Sequence, residues 1–284
     1  MKIVVKKDGY LLDYLYENID MPKKRIKQYL THGAIFVNNN KVTRYDYKLI
    51  NGMTITIDTD GKNKKSLPFD IIFEDDHIIV VNKPSGLLTI ATSKEKEKTL
   101  YHIVREYLIS KNKFAKVFIV HRLDKDTSGV VVLAKDEKTK NQLQENWNEY
   151  VSLREYVAVV NGHPKKYSDR IVQNLCETKT NLVYVSKNKD GKEAITNYKV
   201  IKKSTNYSML DIEIETGRKN QIRVALATIK TPIVGDKKYG NKKDSHSRLY
   251  LHANRLKMYY PVIKKEILFE TSVPVEFKKI MSND

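Results

Sequence analysis

His121-Arg122-Leu123-Asp124-Lys125-Asp126-Thr127-Ser128-Gly129 lies between two β-prone runs, Val-Phe-Ile-Val at 117–120 and Val-Val-Val-Leu at 130–133. A strand, a polar loop and a second strand follow from that pattern. The loop has two physical readings. In a plain turn Asp and Ser bond the local backbone and Gly129 supplies a permissive φ. In a functional loop the two carboxylates, the arginine and the hydroxyls are held out for chemistry.

Outward from this loop, β-prone runs recur at 78–81, 156–160, 195–201 and 209–214. Helical periodicity separates some of them. Residues 99–109 set Leu100, Ile103, Val104, Tyr107 and Leu108 on one side, and residues 137–150 set Leu143, Trp147 and Tyr150 at i, i+4 and i+7. No internal repeat of 20–50 residues accompanies them. The expected fold is α+β: a catalytic domain over 69–284 with a mixed, largely antiparallel sheet and flanking helices, preceded by a smaller domain.

A polar stretch at 59–68 with Gly61 and Pro68 near its ends has no apolar period and reads as an interdomain linker, bounded at 61–68. Before it, residues 1–60 predict helix, helix and sheet. Leu11, Leu12, Leu15 and Ile19 repeat at helical spacing, and a second helix starts at Pro22 and carries Ile26, Tyr29 and Leu30. Ala34-Ile35-Phe36-Val37, the asparagines 38–40 and Lys41-Val42 predict a strand, a tight turn and a strand. Asn51-Gly52 turns into a further strand at 53–57.

Lys and Arg outnumber Asp and Glu by 52 to 34, a net charge of +18 that suits a polyanionic partner such as nucleic acid or else merely solvates the surface. With 40% hydrophobic residues, 18 Tyr and 7 Phe, the chain is too apolar to be disordered. Cys176 is the single cysteine, so neither an intramolecular disulfide nor a cysteine-based zinc site is available, which fits a reducing cytoplasm. No apolar run is long enough for a membrane span, and no secretion signal opens the chain. Phosphate-cradling glycine loops and paired metal-ligand motifs are missing, so neither metal nor organic cofactor is expected.

The whole string His-Arg-Leu-Asp followed by Thr-Ser-Gly, set between two apolar strands, resembles the signature of the RluA family of RNA pseudouridine synthases. Asn82-Lys83-Pro84-Ser85-Gly86-Leu87, Arg154-Glu155-Tyr156, Gly217-Arg218-Lys219-Asn220-Gln221-Ile222-Arg223, Gly235-Asp236 with Tyr239-Gly240, and Leu251-His252-Ala253 follow in family order. Residues 1–60 are similar to the alpha-L type of RNA-binding domain. The resemblance implies isomerisation of uridine without a cofactor, with Asp124 as nucleophile, Arg223 as its ion-pair partner and Tyr156 stacked on the base. By the same resemblance Leu251 is an apolar wall of the pocket and Arg122 enters the space left by the flipped nucleotide. Arg218 is open between phosphate contact and structural pairing, and Lys23, Lys24, Arg25, Lys27 and Gln28 are candidate phosphate contacts. Asn220, Ala225 and Arg154 depart from the commoner family residues, the first two bearing on the choice of substrate. The implied partner is structured RNA, large-subunit ribosomal RNA favoured over transfer RNA, bound by a cytoplasmic monomer. The alternative is a non-catalytic ribosome-assembly factor on the same fold.

Overall fold

The computed structural model describes residues 1–31, 33–38, 40–58, 67–93, 95–188 and 190–282. The chain divides into two compact units, Met1–Leu67 and Pro68–Asp284. Residues 59–66 of the expected linker lie outside the described residues.

In the first unit, helix Leu11–Asn18 buries Leu11, Tyr14 and Leu15, and helix Lys23–Thr31 buries Ile26 and Leu30. The three- and four-residue spacing of these side chains puts them on one stripe of each helix. Ile19, expected within the first helix, is instead its extended C-cap and is still buried. Four strands run antiparallel in the order Lys2–Val4, Thr54–Ile57, Ile35–Val37, Asn40–Lys41. The turn between the last two depends on Asn38 at φ +47°, a left-handed conformation that asparagine tolerates. Its Oδ1 accepts from the Thr54 amide at 2.9 Å, tying the turn to the neighbouring strand. Ile26, Ile35, Ile55 and Ile57 belong to the core of this unit. Lys23, Lys24, Arg25 and Lys27 are all exposed on the second helix.

The second unit is built on an eleven-stranded sheet. Its path runs Val183–Val185, Ser168–Glu177, Lys192–Lys203, Tyr207–Ile214, Val151–Asn161, Leu251–Tyr260, Ser128–Ala134, Ile78–Lys83, Ile71–Glu74. Lys265–Glu270 and Phe118–Ile119 pair off this path. Every pairing is antiparallel except Ser128–Ala134 with Leu251–Tyr260, which is parallel at Ser128↔His252 and Gly129↔Ala253. The sheet is thus mixed and largely antiparallel, as expected. The expected helix over 137–150 breaks at Asn146 (φ −106°, ψ 20°) into Glu137–Glu145 and Trp147–Tyr150. Asn146 donates its side-chain amide to the Gln142 carbonyl, a local bond that competes with helix continuation.

The parallel contact positions the site. Strand Leu251–Tyr260 lies between Ser128–Ala134 and Val151–Asn161, with Ala253 opposite both Gly129 and Tyr156. The end of the Asp124 loop, Leu251 and Tyr156 therefore meet across three neighbouring strands. Gly129 has φ +123°, and a Cβ there would overlap the Ala253 carbonyl, so only glycine permits this approach.

Candidate active site

The loop that carries Asp124 is held by its carbonyls. Thr89 Oγ1 donates to the Leu123 carbonyl at 2.7 Å, and the Thr127 amide donates to that of Asp124 at 3.2 Å. Lys83 Nζ and the Gly86 amide both donate to the Lys125 carbonyl at 3.0 Å, and Ser85 Oγ donates to that of Asp126 at 2.6 Å. Four consecutive carbonyls are thereby occupied, three of them by residues 83–89. Such a loop keeps its side chains in fixed positions without being part of a ladder.

Lys83 has no exposed surface, and its ammonium also donates to the carbonyls of Pro84 and Leu87. Burial pulls its pKa down to about 7 against the attraction of Asp126 and Asp124. In the unfolded chain a lysine keeps its proton to about 10.4. Between those two values the unfolded state holds more protons, so stability rises with pH. Lys83→Met is expected to cost about 2 kcal/mol or more at neutral pH through carbonyls left without a donor. It should also remove this rise, so the stability gap to wild type widens from pH 7 to 10. Urea titrations of both proteins across that range measure it; a constant gap would show that Lys83 does not titrate there.

His121, at the start of the loop, accepts from the Val132 amide at Nε2 (3.0 Å) and stacks on Trp147 with centroids 4.5 Å apart. Burial, aided by Arg154, depresses its pKa to about 3, so it is a neutral structural imidazole. At the far end, Ser128 Oγ meets His252 Nδ1 at 2.8 Å, and His252 Nε2 meets Thr271 Oγ1 at 2.7 Å. Burial, with Arg248 close by, lowers His252 to about 4.

Asp124 is half-buried in a cleft of about 90 Å³ that is also lined by Arg122, Thr127, Tyr156, Arg218, Arg223 and Leu251. The sequence-predicted residues of the catalytic domain thus come together. Among the described residues no side chain hydrogen-bonds the Asp124 carboxylate. Burial pushes the Tyr156 phenol up to about 12, with Arg154 pulling it down and the Asp124 charge raising it, so it stays protonated. Leu251 is 3% exposed and forms an apolar wall. Arg122 is exposed at the rim. The four basic residues of helix Lys23–Thr31 belong to the other unit.

One expected contact is corrected. The fork of Arg223 goes to Asp236, from Nε at 2.8 Å and Nη2 at 2.7 Å, and not to Asp124. The Asp236 side chain is 1% exposed, and a buried carboxylate needs a fixed partner, whereas half-buried Asp124 can be hydrated. Arg223 and Asp124 still attract one another electrostatically across the cleft. Arg218 donates from Nε to the Glu193 carbonyl at 2.9 Å and pairs with no carboxylate among the described residues. Asn220 takes φ +53° and donates to the Tyr239 hydroxyl at 3.0 Å, and Ala225 is packed in the core, so both departures from the commoner family residues have local structural roles. Sequence reasoning gave no role to Lys83, Thr89 or Asp236. A lysine and an asparagine closing the run Ile78-Ile79-Val80-Val81 were the available signal for a buried cation.

Among the described residues no three His, Cys, Asp or Glu side chains are grouped to hold a metal, and no helix is long and apolar enough to cross a membrane.

Residues 77–228 match the family described as RNA pseudouridylate synthase. The chain is 30% identical over 274 residues to ribosomal large subunit pseudouridine synthase D of Vibrio cholerae, covering 90% of this chain and 84% of that protein. It is 29% identical to an uncharacterized RNA pseudouridine synthase of Bacillus subtilis, covering 97% of this chain and 93% of that one. The solved structure of human RNA pseudouridylate synthase domain containing 4 superposes with a TM-score of 0.63 at 23% identity, over 75% of this chain and 92% of the human one, a likeness of fold.

Proposed function

The chain belongs to the RNA pseudouridylate synthase family, and from that premise we propose that it isomerises uridines of large-subunit ribosomal RNA, with Asp124 as the nucleophile. It is an enzyme, an isomerase, and nothing in the comparisons favours a non-catalytic RNA clamp. The N1–C1′ glycosidic bond breaks, the base turns over, and a C5–C1′ bond forms while the C5 hydrogen leaves as a proton and N1 gains one. Atoms balance without a co-reactant.

The observation that carries the assignment is a carboxylate with no hydrogen-bond partner among the described side chains, on a loop whose carbonyls at 123–126 are held, facing a cleft with a protonated tyrosine and a buried arginine. A nucleophile needs that combination of free lone pairs and fixed position. In this reading Tyr156 stacks on the extruded base, Leu251 packs against it, and Arg223 supplies positive potential to Asp124. Arg122, exposed at the rim and without a carboxylate partner among the described residues, fills the vacated stack, offsetting an unstacking cost of about a few kcal/mol. The reading is tested by mapping pseudouridine in large-subunit ribosomal RNA from cells with and without the gene; an identical map would overturn the choice of RNA. The enzyme is read as a cytoplasmic monomer.

The smaller unit serves affinity in this reading, through Lys23, Lys24, Arg25 and Lys27 on one exposed helix. Changing all four to alanine is expected to weaken RNA binding and flatten the plot of log K against log salt. The slope should fall by roughly 0.9 for each phosphate no longer neutralised on duplex and roughly 0.7 on single strands. The saturated single-turnover rate should stay within about threefold. An unchanged slope would make the four residues a solvated face.

A further inference from the structure

The chain has ten arginines, and in the second unit most are paired with a carboxylate: Arg105 with Glu106, Arg170 with Glu215, Arg223 with Asp236, Arg248 with Glu276, Arg255 with Glu155 and Glu270. Among the described residues of this unit three are not so paired, Arg122, Arg154 and Arg218. Arg122 and Arg218 line the Asp124 cleft, and Arg154 lies two residues before Tyr156 on strand Val151–Asn161.

Arg154 reaches Gly217, the residue before Arg218, and its charge feels that of Arg218. A Cβ on Gly217 would stand 3.3 Å from Arg154 Nη1, so the missing side chain is what leaves room for that guanidinium. Arg154 Nη2 donates to the Glu215 carbonyl, and Arg218 Nε donates to the Glu193 carbonyl. Each side chain is thus anchored by one backbone acceptor, and its other N–H groups have no acceptor among the described residues. Arg154 is half-buried, and its guanidinium is held below its ordinary pKa by burial and by the charge of Arg218, with Tyr156 opposing. Two like charges held together without a counter-ion, one of them partly desolvated, leave a local positive potential that only an anion relieves. A neutral wall could have used any residues here.

We propose that Arg154 and Arg218 form a two-arginine clamp, anchored through the backbone carbonyls of Glu215 and Glu193, that grips one phosphodiester of the RNA strand delivering the uridine to Asp124. The ligand is a phosphate group because forked guanidiniums match its oxygens and because the cleft they flank receives a nucleotide in the reading above, on which this inference rests. The clamp positions the strand and takes no part in bond making.

The test uses the full-length protein and total RNA from cells lacking the gene, which contains the unmodified substrate whatever its class. Single-turnover pseudouridine formation with enzyme in excess gives the half-saturating enzyme concentration and the saturated rate, and filter retention gives binding alone. Arg154→Ala and Arg218→Ala are each expected to raise the half-saturating concentration about tenfold, with the saturated rate within about threefold. Lysine at either position should recover part of the loss, and the double alanine variant should lose less than the product of the singles, because both side chains hold one group. Unchanged binding in both alanine variants overturns the clamp, as does a loss of saturated rate with normal half-saturation, which would assign Arg154 to chemistry through Tyr156. Arg218 is exposed, so its variant carries the test if Arg154→Ala fails to fold. Absence of pseudouridine with the wild-type protein would instead count against the proposed reaction, while the filter-retention arm still judges the clamp.

Discussion

Asp124→Asn is expected to abolish pseudouridine formation while leaving RNA affinity within a few-fold of wild type. The amide keeps the size of the side chain and removes the charge and the nucleophilic lone pair, and loss of a nucleophile lowers turnover by on the order of 10⁴-fold or more. Folding should not suffer, because no described side chain hydrogen-bonds the carboxylate and the loop is held through its backbone. Release of tritium from uridine labelled at C5 is the measurement. Residual activity above about 1% of wild type would remove Asp124 from the nucleophile's role, since the expected loss is far larger.

Arg223→Ala is expected to act first on stability. Burial alone would raise the pKa of Asp236, and the Arg223 fork with the amides of Tyr239 and Lys238 more than reverses that, holding the carboxyl below the usual range. Removing the arginine leaves a buried carboxylate with two backbone donors, a change that costs about 3–5 kcal/mol. Lysine should recover little, because a single ammonium cannot reproduce the fork. The sign with pH follows from the depressed value. The pair's contribution is fully present above the unfolded carboxylate pKa of about 3.9 and is lost as pH falls through the lower folded value. Denaturant midpoints of wild type and Arg223→Ala should therefore differ most near neutrality and converge in acid. Equal midpoints at pH 7 would show that the pair is not a structural element. Any loss of turnover in this variant must be read at temperatures where it is folded.

Much of this was legible in the sequence, and for physical reasons. The runs at 78–81, 130–133 and 156–160 are strands because each is a continuous apolar stretch, nearly all of it buried, whereas 195–201 and 209–214 are strands that alternate buried apolar side chains with exposed or half-buried polar ones such as Lys199 and Glu213. Strand Ser168–Glu177 was not legible: its exposed Ser168, Arg170 and Glu177 and half-buried Asn174 dilute the alternation of Ile171 and Leu175. The 137–150 helix was drawn too long because periodicity cannot see Asn146 turning its amide back on Gln142. In the site, local spacing suggested a loop with carboxylates, and the family resemblance supplied its residues. Which carboxylate Arg223 would choose depends on burial, and burial of Asp236 against that of Asp124 is a property of the folded chain alone.

The occupied carbonyls of residues 123–126 have a consequence for exchange of parts between relatives. Thr89 meets the Leu123 carbonyl, Lys83 and Gly86 together meet that of Lys125, and Ser85 meets that of Asp126, so an insertion or deletion of a single residue in either segment misaligns the whole set. Segments 83–89 and 121–128 thus form one cassette encoded in two places. A graft of the Asp124 loop into a related scaffold should fail to order unless its companion travels with it, and a pair moved together should bring its own geometry along.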